Sequence, residues 1–273
     1  MKLLHMMRLW VEALCAAHWP SVYHAILRLW GRSNGMKVLQ VALVRSGDVV
    51  LDVGANRGIF TALLSNLVGA NGRVHAFEPS PTTCQLLHQS LAERARLPGN
   101  VVINQSAVGD EHGVTTLYTP HEDHGQASLR THDAGSWSAD VAVGALQCPI
   151  TTLDSYVDSQ RLTRVDIVKM DVEGAELLAL RGFAAGLRRF HPVVICELCG
   201  AWTHAFDYAP TAVIALLREA GYDTFYLVTD GGDLRHLTDP VELNDGASHD
   251  IVAAVNEAHS DRLRRALSAS ERS

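Results

Sequence analysis

The chain has 273 residues, 47% of them hydrophobic and 19% charged, which fits one large α/β domain better than two small ones. A formal net charge of −7 argues against a nucleic-acid polyanion as the main partner. Five scattered cysteines, an odd number, point to free thiols in a reducing, cytoplasmic compartment rather than to a disulfide framework.

Residues 1–30 are rich in Leu, Met, Trp and Ala, but Arg8, Glu12, His18, Pro20, His24 and Arg28 interrupt every apolar run. That excludes both the unbroken core of a signal peptide and a membrane-spanning helix. One or two amphipathic helices, split near Pro20 and lying on the domain, are expected instead. Trp10, Trp19 and Trp30 leave peripheral membrane contact or self-association through residues 1–30 as the alternative. The chain divides into a helical extension (1–35), a main domain (36–258) and a helical or disordered tail (259–273). Gly31 to Gly35 form the first break.

Val38 to Val44 is a short helix or apolar run. Val49 to Val53 is a buried strand, and the chain then turns through Gly54 to Gly58. Ile59, Phe60, Leu63, Leu64 and Leu67 follow at helical spacing. Arg73 to Phe77 is a second strand, with Glu78 at its end. Ser80-Pro81 starts a helix whose apolar face is Leu86, Leu87 and Leu91, and Pro98 to Asn100 ends it. Val101 to Asn104 is a third strand. Ala107-Val108 and Val114 to Tyr118 read as a hairpin, and 119–148 as a long, polar, irregular loop. Strands at Val165–Met170, Pro192–Glu197, Tyr222–Val228 and Ile251–Val255 alternate with helices at Ala175–Leu187 and Thr211–Ala220. Arg188-Arg189 and Arg262, Arg264 and Arg265 read as solvated helix faces. The alternation predicts a doubly wound, mostly parallel sheet.

In such a sheet ligands bind at the carboxyl ends of the strands. Asp52, the Gly54–Gly58 turn, Glu78, Ser106-Ala107, Asp171 with Glu173, and Glu197 all fall there. Glycines let a ligand approach the backbone, and a carboxylate about 20 residues beyond the turn is placed to grip a ribose diol. This is a nucleoside site. The turn is G-x-x-x-G and lacks the central glycine of a dinucleotide cradle, which favours S-adenosylmethionine over NAD. A nicotinamide-dependent oxidoreductase and a non-catalytic nucleoside-binding protein are the competing readings.

Five motifs now occur in order: Asp52-Val-Gly-Ala-Asn-Arg-Gly58, Ala76-Phe-Glu-Pro-Ser-Pro81, Ala107-Val-Gly-Asp110, Thr152-Leu-Asp154 and Lys169-Met-Asp-Val-Glu-Gly-Ala-Glu176. Together they resemble the FkbM family of S-adenosylmethionine-dependent methyltransferases over roughly residues 38–256. The resemblance implies a class I methyltransferase fold, Rossmann-like, behind the N-terminal helical extension. It also implies O-methylation of a hydroxyl on a sugar, glycan or secondary metabolite. Carried over, Asp52, Gly54, Asn56 and Gly58 would line the methionine end, and Glu78 the ribose. Ser106, Ala107 and Asp171 complete the expected cofactor set, with Asp171 and Glu173 facing the methyl group and acceptor.

A hydroxyl acceptor needs a base within hydrogen-bond reach. Asp171 and Glu173 are the first candidates, followed by His204 and His124. His121, Asp123, His124 and His132, or Asp171 with Glu173 and Glu197, lack a recognised ligand spacing, so no metal is expected. Cys196 and Cys199 form a single pair with no second pair, against a zinc site. Asp171-Val-Glu-Gly174 stands where base-methylating enzymes carry an Asn/Asp-Pro-Pro-aromatic turn, which agrees with the acidic charge in excluding nucleic acid.

Overall fold

The computed structural model describes residues 2–29, 35–96, 98–120, 126–132, 137 and 142–267. Trp30, residues 31–34, His121, Asp123 and His124 lie outside them. The N-terminal region forms α1 (Lys2–His18) and α2 (Pro20–Leu29), parted at Trp19, where Pro20 starts the second helix without needing an N–H partner. Leu9, Ala13, Ala16, Tyr23 and Leu27 are buried, while Trp10 (60%) and Trp19 (58%) are largely exposed. The pair lies on α3 (Gly35–Leu43), and on α4 (Ile59–Val68) and α5 (Pro81–Arg94) of the main domain.

Strands β1 (Val49–Val53), β2 (Arg73–Phe77) and β3 (Val101–Asn104) pair in parallel, with α4 and α5 as crossovers. The chain then leaves the sheet as β4 (Ala107–Val108), β5 (Gly113–Pro120) and β6 (Val143–Thr151), and passes through α6 (Leu153–Ser159). It returns as β7 (Ile167–Met170) on the opposite side of β1. This reversal makes the β1–β7 junction the topological switch point. After it come α7 (Glu176–Arg181), α8 (Ala184–Phe190), β8 (Val193–Cys199), α9 (Gly200–His204), α10 (Thr211–Glu219), β9 (Thr224–Val228), β10 (Leu234–His236), β11 (Ser248–Ala254) and α11 (Asn256–Leu263). The sheet order is β10-β9-β11-β8-β7-β1-β2-β3. β11 runs antiparallel between β8 and β9, and β10 antiparallel on β9, so the rest of the sheet is parallel. This is the class I methyltransferase architecture.

Successive strand residues point to opposite faces, and both faces are covered. Leu51, Phe77 and Met170 pack toward Phe183, Leu187 and Leu217. Val50, Ile167 and Ile195 pack toward Leu39, Leu43 and Leu64.

Four expectations need correction. Val114–Tyr118 does not pair with 107–108: β6 lies between β4 and β5, parallel to the first and antiparallel to the second. The 119–148 loop therefore gives up residues 143–148 to a strand. The helix expected over 175–187 is broken at Gly182, where a Cβ would meet the Gly109 carbonyl oxygen at 2.0 Å. Asp154 then caps the second half by accepting from the Ala185 and Gly186 N–H groups. Arg262 is not on a solvated face. It is buried, donating to both Asp48 oxygens and to the Leu43 carbonyl, with Asp166 at 3.9 Å. The C-terminal stretch is thereby anchored, and Leu267 bridges to Leu234.

Candidate active site

Gly54 joins three strand ends. Its N–H and that of Ala55 both donate to the Phe77 carbonyl at the end of β2, at 3.1 and 2.9 Å. It sits at φ +77°, and a Cβ there would lie 1.8 Å from the Asp171 carbonyl oxygen. Only glycine lets the β1 turn and the β7 end approach so closely. Asn56, at φ 49°, carries the turn through a second left-handed residue, which a short amide side chain tolerates. Gly58 serves a different contact: a Cβ would strike Leu87 on α5 at 2.2 Å, so it seats helix α4 rather than lining the cleft.

Glu78 is 6% exposed and staples the two turns together. One carboxylate oxygen accepts from the Asn56 N–H at 3.0 Å and the other from the Ser80 N–H at 2.9 Å. Burial pushes its pKa up to about 7 against those two donors. Each oxygen keeps a free lone pair for a ligand hydroxyl.

Asp52 lies fully buried beneath the turn rather than on the cleft wall. It accepts from Thr61 Oγ1 at 2.6 Å and stands 3.8 Å from Lys169 Nζ. Burial raises its pKa, and Lys169 and Thr61 oppose the rise. Lys169, half concealed in the sequence as an interruption of a strand, is a buried ammonium at the centre of the site. It donates to the Gly54 carbonyl at 3.2 Å and to Asp171 Oδ2 at 3.3 Å.

The Asp171–Gly174 loop is shaped by two residues given no role from sequence. Glu176 Oε1 accepts from the Val172 and Gly174 N–H groups at 3.2 and 3.1 Å. Tyr208 O–H donates to the Gly174 carbonyl at 2.7 Å. Glu173 and Gly174 are successive left-handed residues (φ 52° and 98°), so the loop needs such bracing. Burial raises Glu176 to about 7. The spacing of Gly174 and Glu176 within one short motif was the available signal.

Together these elements enclose a cleft at the carboxyl ends of β1, β2 and β7. Gly54, Asn56, Glu78, Ser106, Ala107, Asp171 and Glu173 line it. Phe77, Val108 and Leu117 supply apolar wall. The small sheet closes the top: Ser128, bridged to Tyr118 of β5, donates through its Oγ to the Glu173 carbonyl at 2.7 Å. A tight turn through Gly54 and Asn56, a buried carboxylate with spare acceptors and an apolar slot fit a nucleoside.

His204 is not brought to this cleft. It lines a separate open depression with Arg130, Tyr208 and Asn244. His132 is buried among Trp137, Trp202 and Phe206, its ring 4.3 Å from that of Trp202. Among the described residues, no three His, Cys, Asp or Glu side chains gather to hold a metal ion. No helix among them is long and apolar enough to cross a membrane, and all five cysteines are free thiols.

The profile of the Methyltransferase FkbM domain matches residues 52–224. The chain is 32% identical over 202 residues to the 31-O-demethyl-FK506 methyltransferase FkbM of Streptomyces tacrolimicus, covering 66% of this chain and 74% of that protein. It is 28% identical over 177 residues to the hexuronic acid methyltransferase AglP of Haloferax volcanii, covering 65% and 64%. Among solved structures, methyltransferase FkbM from Methylobacillus flagellatus aligns over 90% of this chain and 57% of its own, with a TM-score of 0.45 at 15% identity.

Proposed function

The chain belongs to the FkbM methyltransferase family, and on that premise we propose that it methylates a hydroxyl oxygen of a sugar, glycan or secondary metabolite. S-adenosylmethionine is the cofactor, and when bound it supplies an electrophilic methyl group on a sulfonium. Gly54 and Asn56 receive its amino-acid end, Glu78 its ribose, and the wall around Ser106 and Ala107 its base.

Asp171 is the general base. Its carboxylate is one-third exposed, opens on the cleft, and is held by Lys169 within reach of the turn that receives the cofactor. It takes the hydroxyl proton as the new carbon–oxygen bond forms. Glu173, on the same wall, orients the acceptor, and Lys169 keeps the Asp171 carboxylate from turning away. The close approach of Gly54 to Asp171 carries this reading, because it sets binding turn and base side by side.

The names of two relatives, one specifying an O-demethyl substrate and the other a hexuronic acid, support an oxygen acceptor. A charge of −7 supports a small-molecule or glycan partner over nucleic acid. The free thiols support a reducing, cytoplasmic setting. The exposed Trp10, Val11, Trp19 and Val22 support a contact of α1 and α2 outside the chain, with a membrane surface or a second copy.

The test is transfer of an isotope-labelled methyl group from S-adenosylmethionine into hydroxylated cell fractions. Label appearing as a methyl ether is the expected result. Cofactor binding without label in any fraction would favour a non-catalytic nucleoside-binding protein.

A further inference from the structure

A second cavity adjoins the cofactor cleft and shares Asp171 with it. Met36, Phe60 and Ile195 wall it, and Lys169, Asp171, Glu197 and Asp250 bring charge into it. The sheet dictates this gathering. β7 supplies Lys169 and, just past its end, Asp171. β8 supplies Glu197, and antiparallel β11 places Asp250 directly opposite it in register. One ammonium therefore faces three carboxyl groups, with Asp52 a fourth below it.

Glu197 is flanked on two sides. Ser248 Oγ donates to its Oε1, and Asp171 stands beside it on the wall of the same cavity. Two carboxyl groups crowded on one buried wall repel when both are ionised, and a proton between them removes the repulsion. Nothing in the transfer step described above uses that proton.

We propose that Glu197 is a positioning residue for Asp171, sharing one proton with it and so fixing which Asp171 oxygen is turned to the acceptor. The idea rests on the reading of Asp171 as base. The pair enters the reaction with one proton. It gains a second as the acceptor O–H bond breaks and its oxygen bonds to the methyl carbon, whose bond to sulfur breaks. The pair then releases that second proton to solvent. Burial raises the pKa of Glu197, the charge of Asp171 raises it further, and Ser248 and Lys169 pull it down. Asp250 is raised to about 7 by burial and then by Glu197 and Asp171, with Lys169 and His249 opposing. Met36 of α3 and Phe60 of α4 face the group without charge.

The experiment is a carbon-13 NMR titration of the full, cofactor-free chain labelled at glutamate carboxyl carbons, with Glu197→Gln assigning the resonance. Glu197 should titrate above the ordinary glutamate range. Asp171→Asn should move its midpoint down by about one pH unit, and Lys169→Met should move it up by about as much. Lys169→Arg, which keeps the charge, should restore the wild-type midpoint and controls for misfolding. Opposite signs are the signature, because general loosening of the site moves both variants the same way. A midpoint unmoved by Asp171→Asn, or two shifts of one sign, would overturn the proposal. If the titration behaves as expected while Asp171→Asn still transfers methyl at the wild-type rate, the pair stands and the base assignment falls.

Discussion

At the amino edge of the central sheet Arg262 reaches Asp48 and Asp166, just before β1 and β7, and Arg164 donates to both Asp166 oxygens. At the carboxyl edge of the same two strands, one buried ammonium, Lys169, stands among Asp52, Asp171 and Glu197. The first edge matches charge to charge and leaves little for a ligand. The second leaves carboxylates in excess, with Glu78, Glu176 and Asp250 all raised to about 7. Mismatched buried charge is costly to folding and persists where chemistry uses it. The two edges thus differ in kind: the amino edge holds the domain together, and the carboxyl edge is the one proposed to carry the reaction.

That division can be broken by substitution. Asp171→Asn should slow methyl transfer by roughly 10²- to 10⁴-fold, the usual contribution of a general base, with little change in melting temperature. Arg262→Ala should do the reverse. Stranding buried Asp48 should cost about 3–5 kcal/mol of stability in a denaturant titration, while the folded fraction keeps its cofactor affinity. If Arg262→Ala lost cofactor binding in folded protein, the two edges would not be separate devices.

The pH dependence sharpens the same contrast. Glu176 has its pKa raised from 4.5 to about 7 by burial. Its stabilising contribution is therefore full below about pH 4.5 and is lost as pH rises through 7. The cofactor-free protein should lose on the order of 3 kcal/mol from this group between pH 5 and 8, and Glu176→Gln should flatten that slope. Thermal melting across the range checks it.

The parts legible in the sequence are those that local chemistry enforces. Val49–Val53 and Arg73–Phe77 are short apolar runs ending in a glycine turn and in Glu78, and each emerged within a residue of its expected bounds. β6 was hidden because it is exposed over most of its length, Ala145, Leu146 and Gln147 in succession, and carries Gly144 and Pro149, both poor strand signals. The break at Gly182 comes from the Gly109 backbone, far away in the chain. The bracing of the Asp171–Gly174 loop by Tyr208 and the burial of Arg262 against Asp48 have the same origin. Each joins residues dozens to hundreds of positions apart, and no local pattern announces such a partner. Lys169 and Glu176 were visible as letters in a motif, but their roles follow only from burial.

The smallest and most direct effect concerns the division within the carboxyl edge itself, between the residue that binds and the residue that reacts. Calorimetric titration of S-adenosylhomocysteine into the wild type, Glu78→Ala and Asp171→Asn needs no acceptor. Glu78→Ala should weaken binding by about 10-fold or more, the loss of a charged hydrogen-bond acceptor, while Asp171→Asn stays within about 3-fold of wild type. Equal losses in the two variants would contradict the account, because Asp171 would then belong to the cofactor and not to the acceptor.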